Sequence, residues 1–153
     1  DFDQEPFEIP ATEFINLYHQ ELDQANLFSD VTLVLNYVSN LGLSQSILSA
    51  MQHDSLIKSL SDNKIIKYFH QVSGIDNHYA HSKLEIGEVL IKKIDIPKNQ
   101  ILVIGDSLHD LGVADSLGID CLLISSGHQS KVRLLSKTPN VIEEIIEVIG
   151  LLN

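Results

Sequence analysis

Cysteine is almost missing from this chain. Cys121 is the only one among 153 residues, which excludes an internal disulfide framework and a cysteine-only zinc site. Basic residues are scarce as well. Lys plus Arg number 10 against 21 Asp plus Glu, a formal net charge of −11. That balance argues against a nucleic-acid backbone or an anionic membrane as the main partner. A phosphorylated small molecule stays open, because a bound divalent cation reverses the local sign. No apolar run approaches the roughly 20 residues needed to cross a bilayer. The start, Asp1-Phe2-Asp3-Gln4-Glu5, is acidic and lacks signal-peptide character, so a cytoplasmic address is expected. Internal repeats and low-complexity stretches are also lacking. What is present is a globular composition, 44% hydrophobic and 20% charged, at the size of one ordinary domain.

The apolar pattern alternates between helical and strand periods. Phe14, Leu17, Tyr18 and Leu22 predict a helix from Thr12 to about Leu27, after an irregular start that holds Pro6 and Pro10. Ser29-Asp30 offers an N-cap for a second helix carrying Val31, Leu33, Val34, Tyr37 and Val38, which stops near Gly42. Ser46-Ile47-Leu48 reads as a short buried strand ending at Ser49, and Ile101-Leu102-Val103-Ile104 as a stronger one. Leu122-Leu123-Ile124, with Cys121, is a third. Ser82-Lys83-Leu84-Glu85 has capping-box spacing ahead of an apolar face of Ile86, Val89, Leu90 and Ile94. A helix from His109 to Leu117 should stop at Gly118. A last helix is expected from Asn140, burying Val141, Ile142, Ile145, Ile146 and Ile149 with Glu143, Glu144 and Glu147 in water. The section from His53 to Ala80 predicts short helices and an edge strand near Gln71-Val72-Ser73. Strands alternating with helices imply an α/β fold with a parallel sheet and crossover helices.

Ligands of open parallel sheets bind outside the carboxyl ends of the strands. Gly105-Asp106 puts a carboxylate at one such tip, and Asp110 follows one helical turn later on the same side. Two carboxylates there are costly unless a cation compensates them, and hard oxygen ligands on an incompletely filled site suit Mg²⁺. The plain alternative is that Asp106 only N-caps the next helix. Ser49, with Ala50 and Met51 after it, offers a hydroxyl and backbone amides to a phosphate oxygen; a simple turn serine is the plainer reading. Lys83 stands in the first turn of its helix, where the macrodipole disfavours a cation. An anionic ligand and nearby carboxylates would account for it, as would exposure to solvent. His78 and His81 are three apart, and His109 and His128 fall near strand ends. No Cys or Glu cluster accompanies them, so a transition-metal site is the weaker reading, with His109 and His128 left as rim residues that could touch substrate. Cys121 reads as a buried strand residue.

Taken in order, these features resemble the haloacid dehalogenase-like hydrolase superfamily. Ser46-Ile47-Leu48-Ser49 resembles its second motif, Lys83 its third, and the run from Ile101 to Asp110 its fourth, an apolar strand followed by G-D-x-x-x-D. The resemblance covers about Phe28 to Leu152 and is nearest to the phosphoglycolate-phosphatase-like group. It implies a three-layer Rossmann-like core with a parallel sheet over residues 28–153, and a partial helical cap or linker over residues 1–27. It further implies a Mg²⁺-dependent phosphomonoesterase acting on a small phosphorylated metabolite through an aspartyl-phosphate. Ser49, Ala50 and Lys83 would hold the phosphoryl group, and Asp106 would ligate Mg²⁺. Asp110 would orient Lys83 or reach the metal through water, making Lys83 and Asp110 the catalytic residues carried by this sequence.

Three positions depart from the family pattern. Lys83 is followed by Leu84 where many relatives have Pro, and the second motif continues with Ala50 where Asn is frequent. The family's first motif, an apolar strand followed by D-x-D-G-T, has only the fragment Asp1-Phe2-Asp3 to set against it, continued by Gln4-Glu5. The expectation is that the nucleophile lies upstream, with Asp1 and Asp3 as the alternative. In this fold that strand lies between those ending at Ser49 and Asp106, so its neighbours would show unpaired edges. The rival function is an inactive phosphate- or Mg²⁺-binding regulatory module. A response-regulator receiver domain is excluded by order, since it needs its lysine late in the chain.

Overall fold

The computed structural model describes residues 26–75 and 82–152, with residues 9, 10, 12, 13 and 17 ahead of them. The helix expected from Thr12, the cap segment, the Asp1-Asp3 pair and the histidines His78 and His81 lie wholly or largely outside the described residues. From residue 26 the elements are α1 (Val31–Asn40), β1 (Ser46–Gln52), α2 (His53–Asp62), β2 (Gln71–Ile75) and α3 (Lys83–Ile94). Next come β3 (Leu102–Gly105), α4 (Leu108–Leu117), β4 (Asp120–Ile124), α5 (Lys131–Leu135), β5 (Val141–Ile142) and α6 (Val148–Leu151). Short 3₁₀ turns at Ile66–Tyr68, Lys98–Gln100 and Ile145–Glu147 connect them. Among the described residues no helix is long and apolar enough to cross a membrane.

Local chemistry sets the two helices that matter most. At α3, Ser82 is the N-cap, and its hydroxyl accepts from the Glu85 amide at 3.3 Å. Lys92 and Lys93 fill the last turn, where the helix dipole favours cations, and Asp95 closes the helix in a left-handed conformation. At α4 the N-cap is Ser107, in a reciprocal capping box with Asp110. The plain alternative for Asp106, that it caps this helix, is therefore replaced by its neighbour. Gly118 ends α4 at φ 68°, a backbone region that glycine enters without a Cβ penalty.

Among the described residues the strands form two parallel pieces. β1 pairs with β2 from Ser46↔Gln71 to Leu48↔Ser73, and the register then shifts before Gln52↔Ile75. β3, β4 and β5 form a second sheet in that order. Helices cover both faces, so the strands read as continuous apolar runs. The two-residue period sends alternate side chains of β4 to opposite layers. Cys121 and Leu123 pack with Val113, Ala114, Leu117 and Leu134 on one side. Leu122 packs with Val34 and Val148 on the other. A third cluster of Leu56, Leu60 and Ile65 backs β1 and β2 through Ile47 and Val72. This is the α/β arrangement expected from the alternating pattern, in the three layers that the family resemblance implies.

Two expectations change. The last helix does not start at Asn140: Val141 and Ile142 form β5 against Leu123 and Ile124. A short apolar run of β-branched residues fits both periods, and here the open edge of β4 decides for strand. Glu144 and Glu147 then cap the 3₁₀ turn that follows, and only Val148–Leu151 is α-helical. The first strand also runs past Ser49 to Gln52, with the irregularity falling just after Leu48.

The inner edges of β1 and β3 have no strand partner among the described residues. Between them lies a cavity of about 200 Å³, lined by Ser46 and Leu48 from β1 and by Leu102, Val103 and Ile104 from β3. Leu102 and Ile104 are exposed there.

Leu134, on the five-residue helix α5, is fully buried, whereas Val132 two positions earlier is 83% exposed. Leu134→Ala should cost about 3 kcal/mol of unfolding free energy, and Val132→Ala less than about 0.5 kcal/mol. Urea titration of both variants checks the contrast.

Candidate functional site

The site is built where β3 turns into α4. Gly105 ends the strand, and its backbone runs so close to Asp110 that an added Cβ would lie 2.5 Å from the Asp110 Cβ and 2.8 Å from Oδ2. That approach lets the Asp110 carboxylate fold back over the turn. Its Oδ2 accepts from the backbone amides of Asp106 and Ser107, each at 3.1 Å, and from the Ser107 hydroxyl at 2.7 Å. Its Oδ1 accepts from Lys83 Nζ at 2.5 Å. The pair is largely buried, with side-chain exposures of 17% for Lys83 and 7% for Asp110. Burial pushes the Asp110 carboxyl up, but hydrogen bonds from Lys83 and Ser107, the lysine charge and the Asp106 amide together outweigh it, holding the group below its ordinary 3.8. The carboxylate also accounts for a lysine at a helix start. Asp110 compensates the charge that the dipole of α3 opposes.

Asp106 is held from the other side, by the loop after β4. Its Oδ2 accepts from the His128 amide at 3.0 Å and lies 2.6 Å from His128 Nδ1. The hydrogen bond to Asp106, with the charge of that carboxylate, raises the His128 pKa above its ordinary value. Gln129 reaches across as well, its Oε1 accepting from the Leu108 amide at 3.0 Å at the start of α4. Among the described residues Asp106 Oδ1 has no hydrogen-bond partner. Gln129 escaped the sequence analysis; one amide side chain in a polar loop carries no signal until the loop is seen to fold over α4.

The structure brings Lys83, Asp106 and Asp110 together. Among the described residues no hydrogen bond joins Ser49 or Ala50 to these three; the Ser49 hydroxyl accepts from the Met51 amide at 3.1 Å. Lys83 and Asp110 line the cavity between β1 and β3, together with Ser46 and Leu48. His109 is exposed on α4. Cys121 is buried in β4, and burial, reinforced by the charges of Asp110 and Asp115, pushes its thiol up to about 11. A thiol so rarely ionised is a poor nucleophile.

The donor set bears on a metal. Among the described residues no group of three or more His, Cys, Asp or Glu side chains converges on one point, so a transition-metal site finds no support there. Mg²⁺ differs, because it retains several waters and takes one or two carboxylates plus substrate phosphate. Asp106, with one oxygen free, fits that requirement. Asp110, with both oxygens engaged, fits only through water.

A sequence profile described as haloacid dehalogenase-like hydrolase matches residues 2–124. The chain belongs to this family. Solved structures agree on the fold of the hydrolase. A haloacid dehalogenase-like family hydrolase from Streptococcus pneumoniae superposes with a TM-score of 0.82 at 20% identity, over 93% of this chain and 70% of that one. A predicted phosphoglycolate phosphatase from Haemophilus somnus gives 0.77 at 17%, over 93% and 64%. Protein Tyrosine Kinase A from Mycobacterium tuberculosis gives 0.77 at 18%, over 95% and 70%. Names as different as phosphatase and kinase at similar scores mean that these likenesses speak for the fold and not for the reaction. No curated protein sequence gives a match.

The Lys83–Asp110 pair has a pH signature. A depressed carboxyl pKa adds stability that is fully present above the unfolded value and is lost as pH falls through the folded value. Asp110→Asn should cost roughly 3 kcal/mol near neutral pH, because it leaves Lys83 buried without its counter-charge. The gap between wild type and variant should narrow once pH drops below 3.8. Urea midpoints of both proteins at pH 6 and pH 3 measure it.

Proposed function

We propose that this hydrolase is a Mg²⁺-dependent phosphomonoesterase for a small phosphorylated metabolite, of the phosphoglycolate-phosphatase-like kind. The observation that carries the reading is the buried Lys83 ammonium, fixed on Asp110, whose carboxylate also accepts from the Asp106 amide; Lys83 and Asp110 line a cleft between two strand edges that are unpaired among the described residues. In a chain of net charge −11, a buried cation at the start of α3, bonded to the carboxylate that also holds the β3–α4 turn, is suited to a dianionic ligand. The phosphoryl group would lie against Lys83, with the Ser49 hydroxyl and the amides at Ala50 as the further donors. Asp106 would present Oδ1 to Mg²⁺, which when bound screens the phosphate charge and orients it for displacement.

The chemistry assigned to the site is covalent. A carboxylate oxygen attacks phosphorus, the ester P–O bond breaks, and the leaving oxygen takes a proton. Water then cleaves the acyl phosphate. Lys83 neutralises the charge that grows on the phosphoryl oxygens, and Asp110 keeps the lysine pointed at them. The attacking carboxylate belongs to a strand seated in the cleft, since a tip between β1 and β3 faces Lys83 and Asp106 together. Two edges of parallel strands facing one apolar cavity support that seat. The second reading is an inactive phosphate- or Mg²⁺-binding module, favoured by the lack of a third converging carboxylate among the described residues.

Two measurements on the full-length protein separate these readings. Asp106→Ala should weaken Mg²⁺ binding at least tenfold by calorimetry. Lys83→Ala should lower turnover of a generic aryl phosphate by well over tenfold, on the order of 2 kcal/mol of transition-state stabilisation. Equal Mg²⁺ affinity in Asp106→Ala would sink the metal assignment. A threefold change or less in Lys83→Ala would return that residue to a structural role. Wild-type protein that binds Mg²⁺ but turns nothing over would favour the inactive module.

A further inference from the structure

Asp106 is the exposed member of the pair of acids, with a side chain 36% accessible. A half-exposed aspartate normally samples several rotamers and offers either oxygen. Here one oxygen is taken twice, by the His128 amide and by the His128 ring nitrogen, on the same Oδ2. The other oxygen has no partner among the described residues. The seat that permits this is Gly127. A Cβ built there would lie 2.2 Å from Asp106 Oδ2 and 2.4 Å from its Cβ. Contacts that short are impossible, and what they meet is the carboxylate and the root of its side chain rather than a flexible tip. The φ of Gly127 is not in the left-handed region, so close approach, not a positive φ, is what position 127 requires. Gln129 fastens the same loop to the start of α4 by accepting from the Leu108 amide.

We infer that Gly127 and His128 form a clamp that commits Asp106 Oδ2 to the protein and presents Oδ1, in one fixed direction, to the divalent cation. The proposal rests on Asp106 being the cation ligand and adds two positioning residues from a different strand end. His128 touches neither substrate nor cation in this role. Its amide and ring nitrogen hold the ligand still, so that the cation binds a carboxylate whose rotamer freedom is already gone. Pre-organisation of this kind acts on affinity through orientation. It adds no ligand to the cation.

The test is Mg²⁺ titration of the full-length protein and its variants by calorimetry, with thermal melting alongside. The His128 side chain is 88% exposed, so His128→Ala should melt within about 2 °C of wild type. It should nevertheless bind Mg²⁺ at least fivefold more weakly. His128→Asn carries an amide nitrogen at nearly the position of Nδ1 and should return affinity to within twofold of wild type. Gly127→Ala should weaken binding more than His128→Ala, and if it fails to fold the histidine series still decides. In turnover of an aryl phosphate, excess Mg²⁺ should restore kcat of His128→Ala, since the lesion lies in binding the cation. Wild-type affinity in His128→Ala, with binding lost in Asp106→Ala, overturns the clamp and leaves the metal reading standing. Weak binding in His128→Ala without rescue by His128→Asn also overturns it. Undiminished binding in Asp106→Ala overturns the metal reading and the clamp together.

Discussion

The turn from β3 into α4 and its tie to α3 depend on one buried carboxylate. Asp110 spends one oxygen on the turn that links β3 to α4 and the other on a lysine from α3. The turn cannot relax without uncovering two amides, and the lysine cannot leave without stranding a charge in a nearly dry site. A single acid thus joins the first turns of two helices that are 27 residues apart at Lys83 and Asp110. The geometry of the candidate site follows from that joint. Asp106 is placed by the same turn, and the cleft toward β1 is walled by the same pair.

Much of this was legible in the amino-acid order. The run from Ile101 to Asp110 has an apolar strand, a glycine, and acids at the tip and one turn later, and each of those properties survives in three dimensions. Ser82 and Gly118 mark helix ends correctly because capping is local chemistry. Asp106 was harder to read. Sequence allowed it to be a helix cap, and only the structure shows Ser107 in that role, one residue on, within a capping box that Asp110 completes. The stretch after Asn140 misled for another reason. Val141 and Ile142 satisfy helical and strand periods alike, and the deciding force is the open edge of β4, a partner far away in the chain. The hold of His128 and Gln129 on the β3–α4 turn was invisible for the same cause, since nothing near either residue signals what it folds against.

Family membership and fold rest on different grounds from the reaction. The profile match covers most of the chain, and the superpositions agree on the layers and the parallel strands. The proposed reaction rests on charge placement: an acidic protein that nevertheless buries the Lys83 ammonium against Asp110. Ser49 sits less firmly in that picture, because its hydroxyl already accepts from the Met51 amide. A donor hydrogen remains on that hydroxyl, and it is the donor that an anionic oxygen would use.

The division of the strands into two pieces also bears on how the chain assembles. Each ladder joins neighbours in sequence, β1 to β2 and β3 through β4 to β5, and an apolar cluster backs each, that of β3–β5 also taking in Leu48 from β1. Loop-closure entropy is therefore met separately within each piece, and neither needs the other's backbone to begin pairing. Each piece closes crossovers of its own, from Ser46 to Gln71 and from Leu102 to Asp120, and the Lys83–Asp110 bond joins α3 to α4 between them. A strand entering the cleft would arrive after both halves and bridge them, so the longest-range backbone pairing would be the last to form. Among the described residues β1 and β3 are two parallel edges with no strand between them, and unpaired edges of this kind are where a wrong partner can add.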